Sequence, residues 1–129
     1  MELEYLTTQI PESQPKLRIY EHYVSLNAPA VRLLGLNDQD HVQFARPTFC
    51  KFSGVDRFYI CKAKNIVGAY LARKRKRCVR ISNRELARYL AEKLDGIGCY
   101  RICPEDKIEY MGSICYNVFF KNYDKKDSD

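Results

Sequence analysis

The stretch VSLNAPAVRLLGLNDQDHVQF, residues 24–44, changes its apolar period twice, and that change sets the fold class. Val24 and Leu26 alternate with polar neighbours, the period of a strand lying on a core. Asn27 then offers a side-chain oxygen to the free amides of a helix over Ala28–Leu34. Pro29 falls in a first turn whose N–H groups have no internal acceptor anyway. Gly35 ends the helix, being free to take a positive φ. Asn37-Asp38-Gln39-Asp40 reads as a polar turn, after which Val42 and Phe44 alternate inward on a strand over 41–45. A strand, a short helix and a strand follow one another without a linker.

Both flanks keep this style. Residues 16–26 alternate through Leu17 and Ile19 and, after a break, through Val24 and Leu26, which predicts one strand bent near Glu21-His22. Strands are expected over 57–64, over 66–72 with an interruption at Gly68, and over 78–81. Ser82 with Glu85 reads as a capping box opening a helix over 83–94, with Leu86, Leu90 and Leu94 on one stripe and Asp95-Gly96 as its stop. Strands over 99–103, 107–111 and 113–121 follow, with Pro104 and Gly112 in turns. Residues 1–15 read as a flexible arm, 16–123 as a single β-rich domain and 124–129 as a charged tail. Val24-Ser25-Leu26-Asn27 before the first helix is echoed by Val79-Arg80-Ile81-Ser82 before the second. Either two copies of a strand-helix-strand unit closing one barrel or a chance likeness accounts for the echo. The expected fold is α+β and β-rich: a small, partly open barrel of roughly seven to nine strands with two short helices.

Composition agrees with one globular domain. The 129 residues, 46% hydrophobic and 29% charged, suffice for an apolar core. No run of about 18 apolar residues is present, which excludes a membrane-spanning helix. The acidic start Met1-Glu2-Leu3-Glu4 is unlike a secretory signal, so a cytoplasmic location is expected. Cys50, Cys61, Cys78, Cys99, Cys103 and Cys115 mostly sit between apolar or aromatic neighbours and read as reduced core thiols. None of them forms a Cys-x2-Cys pair, and Cys99 with Cys103 has no companion pair at zinc-finger spacing.

The net charge of +6 hides a sharper pattern. From Arg57 to Arg84 there are ten basic residues and no acid, so the remainder of the chain sums to −4. Arg73-Lys74-Arg75-Lys76-Arg77 are five consecutive cations, with Arg80 and Arg84 close behind. Crowded like charges repel, and a polyanion relieves the repulsion while releasing its counterions. A solvated turn is the plainer explanation of such a run, since water screens it. An anionic membrane would need a flanking amphipathic helix apolar enough to insert, and no such helix flanks the cluster, so no membrane partner is expected. Among ten tyrosines and six phenylalanines, Tyr20, Tyr23, Phe58, Tyr59, Tyr100, Tyr110, Tyr116, Phe119 and Phe120 fall on expected strands. Most of these should fill the core; any left outside next to cations could stack bases.

Residues 24–44 resemble the AbrB/SpoVT-type swapped-hairpin DNA-binding domains of bacterial transition-state regulators and antitoxins. Leu34-Gly35-Leu36 matches their helix exit, Asp40 their turn aspartate, and Val42 and Phe44 their second strand. The chain differs from that pattern at Asn27 (usually proline), Val31 (a second arginine) and Gln39 (commonly glycine). The resemblance places Arg32 where the family often carries a DNA-contacting arginine, and it implies a homodimer formed by exchange of hairpins.

No catalytic signature accompanies these features. His22 and His41 stand in no nucleophile, zincin or kinase motif, and Gly96-Ile97-Gly98 follows a helix rather than opening one. Asp38 and Asp40 read as turn carboxylates rather than metal ligands. No catalytic residue, metal or cofactor is expected. The expected function is nucleic-acid binding, as a DNA-binding transcriptional regulator, with DNA favoured over RNA. Arg73, Lys74, Arg75, Lys76, Arg77 and Arg80 would meet phosphates, and Arg32 and Arg84 would reach bases. The alternative is a non-catalytic β-barrel protein-interaction module whose aromatic face binds protein.

Overall fold

The computed structural model describes residues 13–46 and 57–125. Residues 1–12 of the expected arm, Cys50 and residues 126–129 of the tail lie outside the described residues. The first hairpin joins β1 (Lys16–Ile19) to β2 (Val24–Asn27), with Leu17 opposite Leu26. The single bent strand expected over 16–26 is therefore corrected to a full reversal. Its turn is closed by the Tyr20 N–H donating to the Tyr23 carbonyl at 2.9 Å. The reversal shifts the apolar parity from odd to even positions, which keeps Leu17, Ile19, Val24 and Leu26 all on the buried face.

α1 (Ala28–Leu34) is capped as its sequence predicts. The Asn27 carboxamide oxygen accepts from Ala30 N–H at 3.1 Å, and Gly35 closes the helix at φ 68°. β3 (His41–Ala45), β4 (Phe58–Lys62), β5 (Tyr70–Leu71), β6 (Arg73–Lys74) and β7 (Cys78–Ile81) follow. The strand expected over 66–72 shrinks to β5. Ile66 and Val67 are 69% and 75% exposed in a loop where Asn65 accepts from Val67 N–H and Gly68 turns at φ 73°.

α2 (Arg84–Lys93) is capped by Asn83, not by the Ser82–Glu85 box. Asn83 is the last extended residue, at φ −143°, and its side chain accepts from Leu86 N–H at 2.9 Å. Leu86 and Leu90 are buried as their spacing predicts, with Leu94 partly covered. β8 (Gly98–Tyr110) runs straight through the turn expected at Pro104 and pairs with β9 (Ser113–Val118). The register slips between Cys103 and Lys107, and the proline, which has no N–H to give, sits inside that slip.

The strands make one antiparallel sheet in the order β5-β3-β4-β9-β8-β1-β2-β7-β6. Its two ends, β5 and β6, are joined by the single buried residue Ala72, so the sheet curls into a nearly closed barrel. Ala72 donates to the Asp40 carbonyl at 2.8 Å and accepts from Gln39 N–H at 3.0 Å, which ties the seam. If β5 and β6 are taken as one bent strand, exchanging the first and second halves of the chain leaves the pairing pattern unchanged. Hairpin β1–β2 corresponds to β6–β7 and hairpin β3–β4 to β8–β9. β2 pairs with its own counterpart β7, and β4 with its counterpart β9.

Inside lie Leu17, Ile19, Val24, Leu26, Val42, Ile60, Tyr100 and Ile102, each with essentially no exposed surface. Of the expected strand aromatics, Phe58, Tyr59, Tyr100 and Tyr116 are buried, whereas Tyr110 and Phe120 are exposed. The five described cysteines are free thiols, and Cys61, Cys99, Cys103 and Cys115 are buried. The tail begins tied down: Asp124 pairs with Arg18 and Lys125 with Asp95, both at 2.6 Å.

Two of these buried groups set an alkaline limit. Burial pushes the Cys61 thiol from 9.0 and the Tyr100 phenol from 10.0 up to about 12. The unfolded chain releases both protons at its ordinary values, so it is the state stabilised first as pH rises. Stability is therefore intact below about pH 9 and falls between about pH 9 and about 12. Urea midpoints measured across that window should drop steadily; a flat series would mean that both groups ionise as easily in the fold as in the open chain.

Candidate nucleic-acid interface

On β1, β2 and β7 the inward residues are apolar, so the alternate positions must face out, and β6, made only of the exposed Arg73 and Lys74, joins that outer row through Arg73. Pairing then sets Arg18 opposite Ser25, Ser25 opposite Arg80, and Arg80 opposite Arg73, in one row across the outer surface. Arg18 is neutralised by Asp124. The Arg80 guanidinium lies 4.1 Å from the centre of the Tyr23 ring, and its Nε is buried without a hydrogen-bond partner among the described residues. Tyr23 in turn stacks on Tyr20, with ring centres 4.4 Å apart. Arg80 is thus held in a column of planar groups, not splayed into water.

The five-cation run divides. Arg73 and Lys74 form β6, while Arg75, Lys76 and Arg77 make the turn into β7, closed by Arg75 N–H donating to the Cys78 carbonyl at 2.8 Å. All five side chains are exposed. Lys74, Arg75, Lys76 and Arg77 form one wall of a cleft of about 310 Å³ whose other wall is α1, with Ala28, Val31 and Arg32. Arg32, distant in the sequence, therefore joins the main cluster. None of these five cleft cations makes an ion pair with a carboxylate among the described residues.

One carboxylate does border this cleft. Asp38 accepts from the Lys74 backbone N–H at 2.9 Å, which fixes the base of the turn. Asp40 is engaged elsewhere: it accepts from Asn37 N–H at 2.7 Å and lies 3.4 Å from the Lys62 ammonium. The Asn37 N–H first, and Lys62 after it, hold its carboxyl below the usual range.

Arg84 is not in this cleft. It lines a second one, also about 310 Å³, between α2 and the β1–β2 turn, together with Arg88, Tyr20 and His22. Nothing in the sequence around Arg88 marks it as a contact, and Tyr20 stands out only as one of the nine aromatics on expected strands. Arg88 has no charged run around it, and the alternation of residues 16–26 puts Tyr20 inside a strand instead of at a turn. His22 lies on that exposed turn, 4.0 Å from Glu21. No group of three or more histidine, cysteine or acidic residues able to hold a metal occurs among the described residues. No helix there is long and apolar enough to cross a membrane. Comparison with protein-family models, with curated proteins and with solved structures found no match.

Proposed function

We propose that the protein binds nucleic acid, as a DNA-binding regulator acting in the cytoplasm, and that it grips the phosphate backbone between α1 and the β6–β7 turn. The observation that carries this reading is the meeting of Arg32 with Lys74, Arg75, Lys76 and Arg77 around one cleft. Five cations on two facing walls repel one another until an anionic backbone lies between them. Arg80 and Arg73, in register beside the cleft, extend the track along the outer surface.

The likeness of residues 24–44 to AbrB/SpoVT-type domains supports the same reading. Gln39, where that family commonly has glycine, takes φ 68°, the conformation glycine adopts most easily. The interchangeable halves of the sheet suit a duplicated hairpin-helix-hairpin unit. A single chain supplies both hairpin pairs, so one chain is the proposed binding unit. Sedimentation at the concentrations used for binding checks this against the homodimer that the resemblance implies.

Titrating duplex DNA over a salt series tests the function itself. With five phosphate contacts, log affinity should fall with log salt at a slope of about −4 to −5. A slope near zero would show that the cations meet no phosphates. The second reading, a protein-interaction module, is favoured by the exposed Tyr110, Met111 and Ile114 at the end of the β8–β9 hairpin. Protein eluting clean from heparin at low salt would support that reading instead.

A further inference from the structure

The two clefts are the same structure built twice with different side chains. In both hairpins the last register pair before the turn is equivalent: Ile19 opposite Val24 and Lys74 opposite Val79. Both turns close with the same bond, Tyr20 N–H to the Tyr23 carbonyl and Arg75 N–H to the Cys78 carbonyl. Tyr20, Glu21 and His22 therefore occupy the places of Arg75, Lys76 and Arg77. The helices match as well. Asn27 caps through Ala30 as Asn83 caps through Leu86, which sets Arg32 and Arg88 at equivalent positions. Each cleft is bordered by its own member of these pairs.

Their chemistry differs in a way that assigns each a separate task. The cleft beside α1 presents cations on both walls and no aromatic ring. The cleft beside α2 presents two guanidiniums, Arg84 and Arg88, one carboxylate, Glu21, the His22 ring, an apolar strip of Ala91 and Ile97 over the buried Ala87, and the ring of Tyr20. That ring is braced from behind by Tyr23, and Tyr23 by Arg80, so stacking on it costs little further ordering. Neither Arg84 nor Arg88 makes an ion pair among the described residues. A flat aromatic surface, an apolar strip and two such guanidiniums are the complement of a base joined to a phosphate. The volume of about 310 Å³ admits one such unit.

We infer that the α2 cleft binds one unpaired nucleotide of a nucleic-acid strand, its base stacked on Tyr20 and its phosphate held by Arg84 and Arg88. This rests on the proposed function and deepens it: the α1 cleft grips backbone without regard to base, and the α2 cleft requires a base free of its partner. The protein should therefore prefer single strands, or duplexes with an unpaired overhang, to fully paired duplexes of equal length.

The test uses the full chain and a phosphorylated trinucleotide carrying a fluorescent adenine analogue, too short to span both clefts. Stacking should quench the analogue to saturation. Tyr20→Leu and Arg88→Gln should each weaken the binding by roughly five- to a hundredfold, the range expected for removing one stacking or charged interaction. Unchanged urea midpoints will separate this loss from unfolding. Alanines at Lys74, Arg75 and Lys76 should leave trinucleotide binding within about twofold, because these residues line the other cleft. Absence of quenching with the unaltered protein, or quenching untouched by Tyr20→Leu, overturns the inference, even if duplex binding keeps its steep salt slope. Conversely, quenching with a flat duplex slope would remove the phosphate grip and leave the base site standing. Free mononucleotide binding more tightly than the trinucleotide would overturn the assignment to a strand.

Discussion

Alanines at Lys74, Arg75 and Lys76 together are expected to lower the affinity for duplex DNA roughly a hundredfold at about 0.15 M salt. Each cation that no longer meets a phosphate takes its share of counterion release with it, so the salt slope should shrink by about 2.5 to 3. The side chains are exposed, and the turn is held by backbone bonds and by Asp38, which accepts from a main-chain N–H that alanine retains. The fold should therefore survive, with a urea midpoint shifted by less than the error of a surface substitution. The joint fall in affinity and slope is the signature to look for. A drop in affinity at constant slope would mean that the turn acts through shape, not charge. Arg32→Ala, on the opposite wall, should take away about one further unit of slope if both walls meet the same backbone.

The largest loss of stability should come from Gly98 and Asn122, where the tail crosses the start of β8. Asn122 is almost fully buried. Its amide nitrogen donates to the carbonyls of Asp95 and Ile97, each at 2.9 Å, and its oxygen accepts from Asp124 N–H at 2.9 Å. Asn122→Ala removes the side-chain partner of two carbonyls and one N–H at once, a cost of about 1–3 kcal/mol. Gly98 takes φ 154°, and a Cβ added there would lie 2.6 Å from the Asn122 Cγ. Gly98→Ala must both strain the backbone and expel that carboxamide, a cost of about 2–5 kcal/mol.

The two substitutions cannot add. Once Asn122 is alanine the overlap is gone, and Gly98→Ala should cost only the backbone strain, about 1–2 kcal/mol. Urea unfolding of the four proteins measures this cycle, and strict additivity would show that the two residues do not touch. The cycle also bears on the site, because Ile97, whose carbonyl Asn122 holds, borders the α2 cleft.

Local signals in the chain are readable because their causes are local. Asn27 as a cap, Gly35 as a left-handed stop and the buried stripe of Leu86 and Leu90 each depend on residues within one turn. Sequence and structure part where two local readings compete. Ser82 and Asn83 are both good capping residues, and only the last extended backbone position decides between them. In residues 16–26 the apolar parity moves from odd (Leu17, Ile19) to even (Val24, Leu26), a shift that a bend and a reversal both produce, so alternation alone does not reveal the hairpin turn. Pro104 reads as a turn, yet a register slip gives it a place inside a strand with no bond broken.

By itself, the sequence determined a β-rich chain with two short helices and one acid-free basic segment, because propensity, capping and charge are properties of neighbouring residues. The tertiary structure alone decided which of those cations share a surface. Closing the sheet through Ala72 brings α1 against the β6–β7 turn and α2 against the β1–β2 turn. Arg32 thereby joins Lys74, Arg75, Lys76 and Arg77, while Arg84 is carried away to Arg88 and Tyr20. Such pairings rest on strand order between distant segments, and no window along the chain contains both partners.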